Sequence, residues 1–200
     1  MKHNPDIHHR RSIRLKGYNY SSEGSYYITI CTHVGADSIS AQNLFGEIIV
    51  VGADSISAQM ELNHAGKMIE TIYNETINTY KNVSSNIYVI MPNHLHCIVS
   101  ISRVGIESAS RADMESAPTT TVADIMQSFK RNTTIKYING VKSGIYPSFN
   151  KRIWQRNYYE HIICDEVDYE QKRHYISQNP MKWTEDELSR REIQAGNIPH

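Results

Sequence analysis

No stretch of this 200-residue chain approaches the roughly 20 consecutive apolar residues that a membrane-spanning helix requires. Its polar N-terminus also lacks the apolar core of a secretory signal. Both absences point to a cytoplasmic protein with no membrane partner. Cysteine is scarce: Cys31, Cys97 and Cys164 lie far apart, each in an apolar run, with no CxxC pair among them. Such a set argues against a disulfide framework or a zinc knuckle and for reduced core thiols. Net charge is absent as well, with 21 basic and 21 acidic side chains, but that balance hides local asymmetry.

Between Met1 and Tyr20 stand Lys2, Arg10, Arg11, Arg14 and Lys16, with Asp6 the single acid. From Lys130 to Arg156 the chain carries Lys130, Arg131, Lys136, Lys142, Lys151, Arg152 and Arg156 and no acid. Clusters of this kind attract phosphate backbones, although a charge run is also what an ordinary solvated face looks like. With 40% hydrophobic residues over this length, one domain with modest extensions is the simplest organisation.

Periodicity then places the elements. Residues 1–24 are basic and weakly periodic, and we expect an arm that orders on a partner. SYYITICT, Ser25 to Thr32, is β-branched and aromatic with alternation, a first strand, and Leu44 to Val51 is a second. Leu62, Ala65, Ile69, Ile72, Thr76 and Ile77 recur at helical spacing and predict a helix over 62–80. Asn82 to Asn86 reads as a turn. Ile87 to Met91 and Leu95 to Ile101 are apolar runs parted by Pro-Asn, two adjacent strands. Thr121 with Asp124 caps another helix, along which Ile125, Met126 and Phe129 line one side and Lys130 and Arg131 fall off the stripe, free to face outward. Trp154 to Cys164 reads as the last strand. Asp165 is the N-cap of a helix that runs to Gln178 and stops at Pro180.

The expected order is therefore a strand hairpin, a helix, two strands, a helix, a strand and a helix. An α+β antiparallel sheet backed by helices on one face follows, of the ferredoxin-like or RNA-recognition-like kind. The nine-residue string VGADSISAQ occurs at 34–42 and again, unchanged, at 51–59, with a degenerate relative over 104–118. Packing does not demand such identity, so duplication in the DNA is the better account. Each copy falls where a strand should end, as a tolerated loop insert or at most an extension of the flanking strands. Residues 184–200 form a tail.

His94 and His96 sit just after the Pro-Asn turn. On a strand they share a face, and two imidazoles at that spacing can grip one metal ion while Leu95 faces the core. Two histidines on the solvated face of a sheet are the plainer alternative. The full string MPNHLH resembles the HUH signature of tyrosine transposases that cut single-stranded DNA. The resemblance extends through RRSIRLKGYNY, YYITICT, NHAGK, IWQRNYYEHII and HYISQNPMKW, most of residues 10–183. The chain is similar to the branch called REP-associated tyrosine transposases.

That resemblance implies an HUH endonuclease domain over 25–183, interrupted by inserts at 34–42, 51–59 and 103–118. It implies a helical tyrosine nucleophile, matched at Tyr175, and a polar residue one turn later, Asn179, completing a metal site with His94 and His96. Gln171, Tyr175 and Asn179 are spaced to share one helix face, although Pro180 biases Asn179 away from helical angles. Tyr158, Tyr159 and Tyr169 are the rival nucleophiles. Histidines alone would suggest zinc or manganese, whereas the family uses Mg²⁺ or Mn²⁺. The implied reaction cleaves and rejoins single-stranded DNA beside hairpins such as repetitive extragenic palindromes, through a 5′-phosphotyrosine link. Arg10, Arg11, Arg14, Lys16, Lys130, Arg131 and Arg156 are the candidate DNA contacts. A homodimer and a monomer both remain open. So do a non-catalytic binder of structured DNA or RNA on the same scaffold and a metal-dependent hydrolase built on the two histidines.

Overall fold

Tyr26, Ile28 and Ile30 alternate with Tyr27 and Thr29 along strand β1 (Gly24–Cys31), and this period of two gives the centre of the fold two different faces. The computed structural model describes residues 23–33, 43–51, 57–102, 120–149 and 151–183. The basic arm, the first repeat copy, the degenerate copy and the tail lie outside the described residues.

After β1 the chain forms β2 (Gly46–Val51), β3 (Ser57–Leu62), α1 (His64–Thr79), β4 (Val83–Ile90), β5 (His94–Ile101), α2 (Val122–Lys142), β6 (Tyr159–Ile163) and α3 (Glu166–Gln178). Four strands make an antiparallel sheet in the order β4-β5-β1-β6, and β2 with β3 makes a separate two-stranded sheet. With that hairpin set aside, β1-α1-β4-β5-α2-β6 is the ferredoxin-like double βαβ plan, with β1 and β5 innermost. The fold is α+β, as the periodicity predicted.

The expected pairing of the first two strands is not what forms. Residues Gly46 to Val51 pair with Leu62 to Ser57 instead, because β1 already has β5 on one edge and β6 on the other. The second repeat copy is drawn into this hairpin: Val51 ends β2, and Ser57 to Gln59 begin β3. Two other boundaries move. The turn expected at 82–86 is largely strand, since β4 starts at Val83 and absorbs an irregularity between Ser84 and Ile87. Trp154 makes only an isolated bridge to Thr32, and the ladder resumes at Tyr159.

One face of the sheet carries Tyr26, Ile28, Ile30, Leu95, Cys97 and Val99 against α1 and α2, which contribute Ile69, Ile72, Tyr73, Ile125, Met126 and Phe129. Asn63 caps α1 by accepting from Gly66 N, and its own Nδ2 donates to Leu44 O. A Cβ on Gly66 would strike the Phe45 carbonyl, so the NHAGK segment needs glycine there to seat the helix on the hairpin. Thr121 and Asp124 form the capping box of α2.

The other face is not bare, as an arrangement with helices on one side only would leave it. Helix α3 crosses it, with Ile176 packed against Tyr27 and Ile98 and with Ile87, Val89, Ile163 and Tyr169 around them. Those apolar side chains need cover from water, and the turn after β6, where Asp165 caps α3, returns the helix over them. Ile176 is the one buried side chain of the helix proper. This thin cover leaves room for polar groups beneath it.

Candidate functional site

The turn between β4 and β5 is held from three sides. Met91 N donates to His94 O at 2.8 Å, Phe45 N to Pro92 O at 3.0 Å, and Thr32 N to Asn93 O at 2.8 Å. His94 and His96 leave this turn on the α3 side of the sheet and are 0% and 3% exposed, so neither is a solvated surface histidine.

Their hydrogen bonds set their roles. His94 Nδ1 lies 2.6 Å from Asn93 Oδ1. An amide oxygen only accepts, so Nδ1 carries the proton and Nε2 presents a lone pair. His96 Nδ1 meets the hydroxyls of Tyr27 and Thr29, each 2.8 Å away. A hydroxyl both donates and accepts, so these partners serve either tautomer. The two Nε2 atoms approach each other to 2.9 Å. Without a cation one proton must bridge them. With a cation both lone pairs can point at it, and cis ligands at about 2.1 Å from an octahedral ion stand about 3.0 Å apart. Burial pushes the His94 imidazole down to about 3, which keeps it neutral and ready to ligate.

Above the pair lies α3. The Tyr175 ring sits 5.3 Å from the His96 ring and 6.2 Å from that of Tyr27, edge-on to both. Tyr175 is 40% exposed, so it touches the site and solvent together. Asn179 is buried, and its Oδ1 has no hydrogen-bond partner. It also keeps helical angles, φ −57 and ψ −43, although the following proline disfavours them. Among the described residues no group of three or more His, Cys, Asp and Glu could hold a metal ion. A third donor beside the histidines must therefore be of another type, and an unpartnered buried amide oxygen is one. The donor types present, two imidazole nitrogens 2.9 Å apart and a buried amide oxygen, suit a divalent ion.

Two comparisons bear on this chain. An uncharacterized protein of Haemophilus influenzae is 38% identical over 192 residues, which is 94% of this chain and 97% of the relative. The chain belongs to that protein's family. No family model matches. Among solved structures, a REP-associated tyrosine transposase bound to a REP hairpin aligns with a TM-score of 0.47 and 17% identity over 94% of this chain and 89% of that one. A candidate transposase of Deinococcus radiodurans aligns with a TM-score of 0.41 and 12% identity over 84% of this chain and 97% of that one. Both scores lie below 0.5, so the fold assignment rests on strand order and the functional reading on the site itself.

The other sequence candidates disperse. Lys130 does not face outward: its Nζ donates to Gln155 O and Asn157 O at 3.0 Å each and reaches Arg156 O at 3.5 Å. Those carbonyls have left the sheet ladder and need donors, and burial pulls the amine down to about 8. Arg131 is exposed on α2, the helix packed against the opposite face. Arg156 is exposed on the approach to β6, while Arg10, Arg11, Arg14 and Lys16 lie outside the described residues. Of the rival tyrosines, Tyr158 lies under Lys130 and Tyr169 packs beside Ile176. Sequence reasoning missed Asn93, Tyr27 and Thr29, the groups that orient the histidines, and Trp183, stacked on His94 at 5.9 Å. The alternation of YYITI put Tyr27 and Thr29 on one face, but nothing said that His96 would lie across from them.

Proposed function

We propose that the chain is an HUH tyrosine transposase of the REP-associated kind, a single-strand DNA endonuclease and ligase. One observation carries the reading: two buried imidazole nitrogens converge to 2.9 Å beneath a half-exposed helical tyrosine. One helical turn on from Tyr175, the buried Asn179 Oδ1 has no hydrogen-bond partner. Neither core packing nor surface solubility asks for this combination.

In the proposed reaction the Tyr175 hydroxyl loses its proton and its Oη attacks a phosphorus of the DNA strand. The P–O3′ bond breaks, and the leaving 3′ oxygen takes up a proton. The DNA downstream of the break stays on Tyr175 through its 5′-phosphate, as a phosphodiester, and a 3′-OH can later reverse the step. No external energy source is needed, since one phosphodiester replaces another. A phenol attacks poorly near neutrality, with its ordinary pKa of about 10. A bound Mg²⁺ or Mn²⁺ would polarise the phosphate and offset its developing charge. The chain's own contribution is position. Asn93 fixes the His94 tautomer, Tyr27 and Thr29 orient His96, and α3 holds Tyr175 against His96. Thin cover by α3 suits a flexible single strand better than a stacked duplex.

The test is incubation with a pool of 3′-labelled single strands, each bearing an imperfect stem-loop, in Mg²⁺ or Mn²⁺. A labelled covalent adduct that maps to Tyr175 by mass spectrometry is expected. Hairpin capture without an adduct would leave a non-catalytic binder. Metal-dependent cleavage without an adduct would mean a hydrolase working through His94 and His96. Either result overturns the transposase reading.

A further inference from the structure

Building on the proposed reaction, we propose that Tyr159 is a base-stacking platform, the seat of a nucleobase in the single strand that flanks the scissile phosphate. Pairing sets its place. Val89 and Thr29 both lie opposite His96, and Thr29 also lies opposite Tyr159. The four side chains form one row across the sheet on the α3 side, from the β4 edge to the β6 edge, and Tyr159 ends it.

Tyr159 is 55% exposed, a large aromatic left in water at the rim of a polar site. It is continuous with the site's own rings. Its ring stands 6.4 Å from Tyr27, edge-on, and Tyr27 is stacked on His96 at 5.6 Å and 19°. A base laid on Tyr159 would therefore extend an aromatic strip that reaches the proposed nucleophile through Tyr27.

The platform is also held firmly. The segment just before it is tied to β1 by His33 N to Ile153 O at 2.6 Å and Gln155 N to Cys31 O at 2.9 Å. Trp154 is wedged between Phe45 and Phe129, with Nε1 donating to Thr133 Oγ1 at 2.9 Å. Lys130 then clamps the carbonyls of residues 155–157. A stacking surface that need not be ordered on binding loses less of its contact energy. The same end of the sheet is cationic. Arg156 is exposed, and the charges of Arg152 and Lys151, after burial, hold the His33 imidazole below its usual range. Of the acids on α3, Asp168 is engaged by His161 at 2.7 Å and by Lys172 at 3.9 Å, and Glu170 by Arg173 at 2.7 Å. An aromatic plane beside exposed basic side chains is what a single nucleic-acid strand fits, since every base has a stacking face and every linkage a negative charge.

The experiment places 2-aminopurine on either side of the cleavage point that the parent's adduct defines. It follows fluorescence quenching and affinity for parent, Tyr159→Ala and Tyr159→Phe. The parent and Tyr159→Phe should quench the probe on one side and bind within about two-fold of each other, while Tyr159→Ala should lose the quenching and bind about ten-fold more weakly. All three should melt alike and form the adduct at saturating DNA. Parent-like quenching and affinity in Tyr159→Ala would overturn the platform and leave the proposed reaction standing. Loss of the adduct in Tyr159→Phe would move Tyr159 from stacking into the chemistry. A parent that neither binds single strands nor forms an adduct would overturn the reaction and the platform together.

Discussion

The two faces of the central sheet obey different rules. On the α1 and α2 side, Tyr26, Ile28, Ile30, Leu95, Cys97 and Val99 meet two helices with regular apolar stripes. Each side chain there is accounted for by burial and fit. On the α3 side the same strands present Tyr27, Thr29, His94 and His96 under a helix that buries Ile176 alone. Buried imidazoles and an unpartnered amide oxygen do nothing for packing that leucines would not do better. The first face shows what makes the chain fold, and the second what it gives up in packing to hold polar groups.

That contrast can be broken most sharply at Tyr175. Tyr175→Phe should abolish the covalent adduct while hairpin affinity stays within about two-fold, because one half-exposed oxygen is removed. An adduct that persists in Tyr175→Phe and disappears in Tyr169→Phe would relocate the nucleophile. On the packing face, Phe129→Ala should lower unfolding free energy by about 3–5 kcal/mol, as emptying a filled core does, in a urea titration. A loss under about 1 kcal/mol would mean that this face is not the stabilising one.

Acid should act through the other face. His94 is held at about 3, below the ordinary histidine value of about 6.5. Between these values the unfolded chain takes up a proton that the folded chain refuses, so stability falls as pH drops. The slope should reach about 1.4 kcal/mol per pH unit for this group. Urea midpoints measured from pH 7 to 4 in a chelator should show it, and His94→Leu should flatten it by one proton. An equal slope in both proteins would refute the buried neutral imidazole.

Asn179→Ala should separate function from stability at a single position. Its Oδ1 makes no hydrogen bond to lose, so stability should change by no more than about 1 kcal/mol. Mn²⁺ affinity in calorimetry should fall about ten-fold or more. Unchanged metal affinity would remove Asn179 from the site. The smallest effect is expected from the repeats. Deleting 34–42 should shift stability by less than about 0.5 kcal/mol. Deleting 51–59 removes Val51 and Ser57 to Gln59 from the β2-β3 hairpin, and that protein should be the less stable of the two.

Much of this was legible along the chain. Helical stripes, the Thr121-Asp124 and Asp165 caps and the Pro-Asn turn are local signals, and they located α1, α2, α3 and the two strands that carry the histidines. The misjudged elements were those decided by a competitor distant in sequence. Leu44 to Val51 looked like a partner for β1, yet β5 and β6 occupy both of its edges. Trp154 looked like strand and became a core wedge, because Phe45 and Phe129 close around it. Lys130 looked like a surface cation, and it points inward because three carbonyls outside any ladder require a donor.

The sequence by itself determined the class of fold, the element types and the pair His94 and His96, because periodicity, capping and spacing act over a few residues and need no knowledge of what packs against them. Only the tertiary structure decided that β5 lies beside β1, bringing Tyr27 and Thr29 to His96, and that α3 crosses the face opposite the other helices. Register aligns residues 67 and 69 positions apart to 2.8 Å, and no local pattern encodes such a distance. The arrangement exists because long-range pairing placed hydroxyls and imidazoles on one face, where burial strips water from them together, with Tyr175 above them half in solvent.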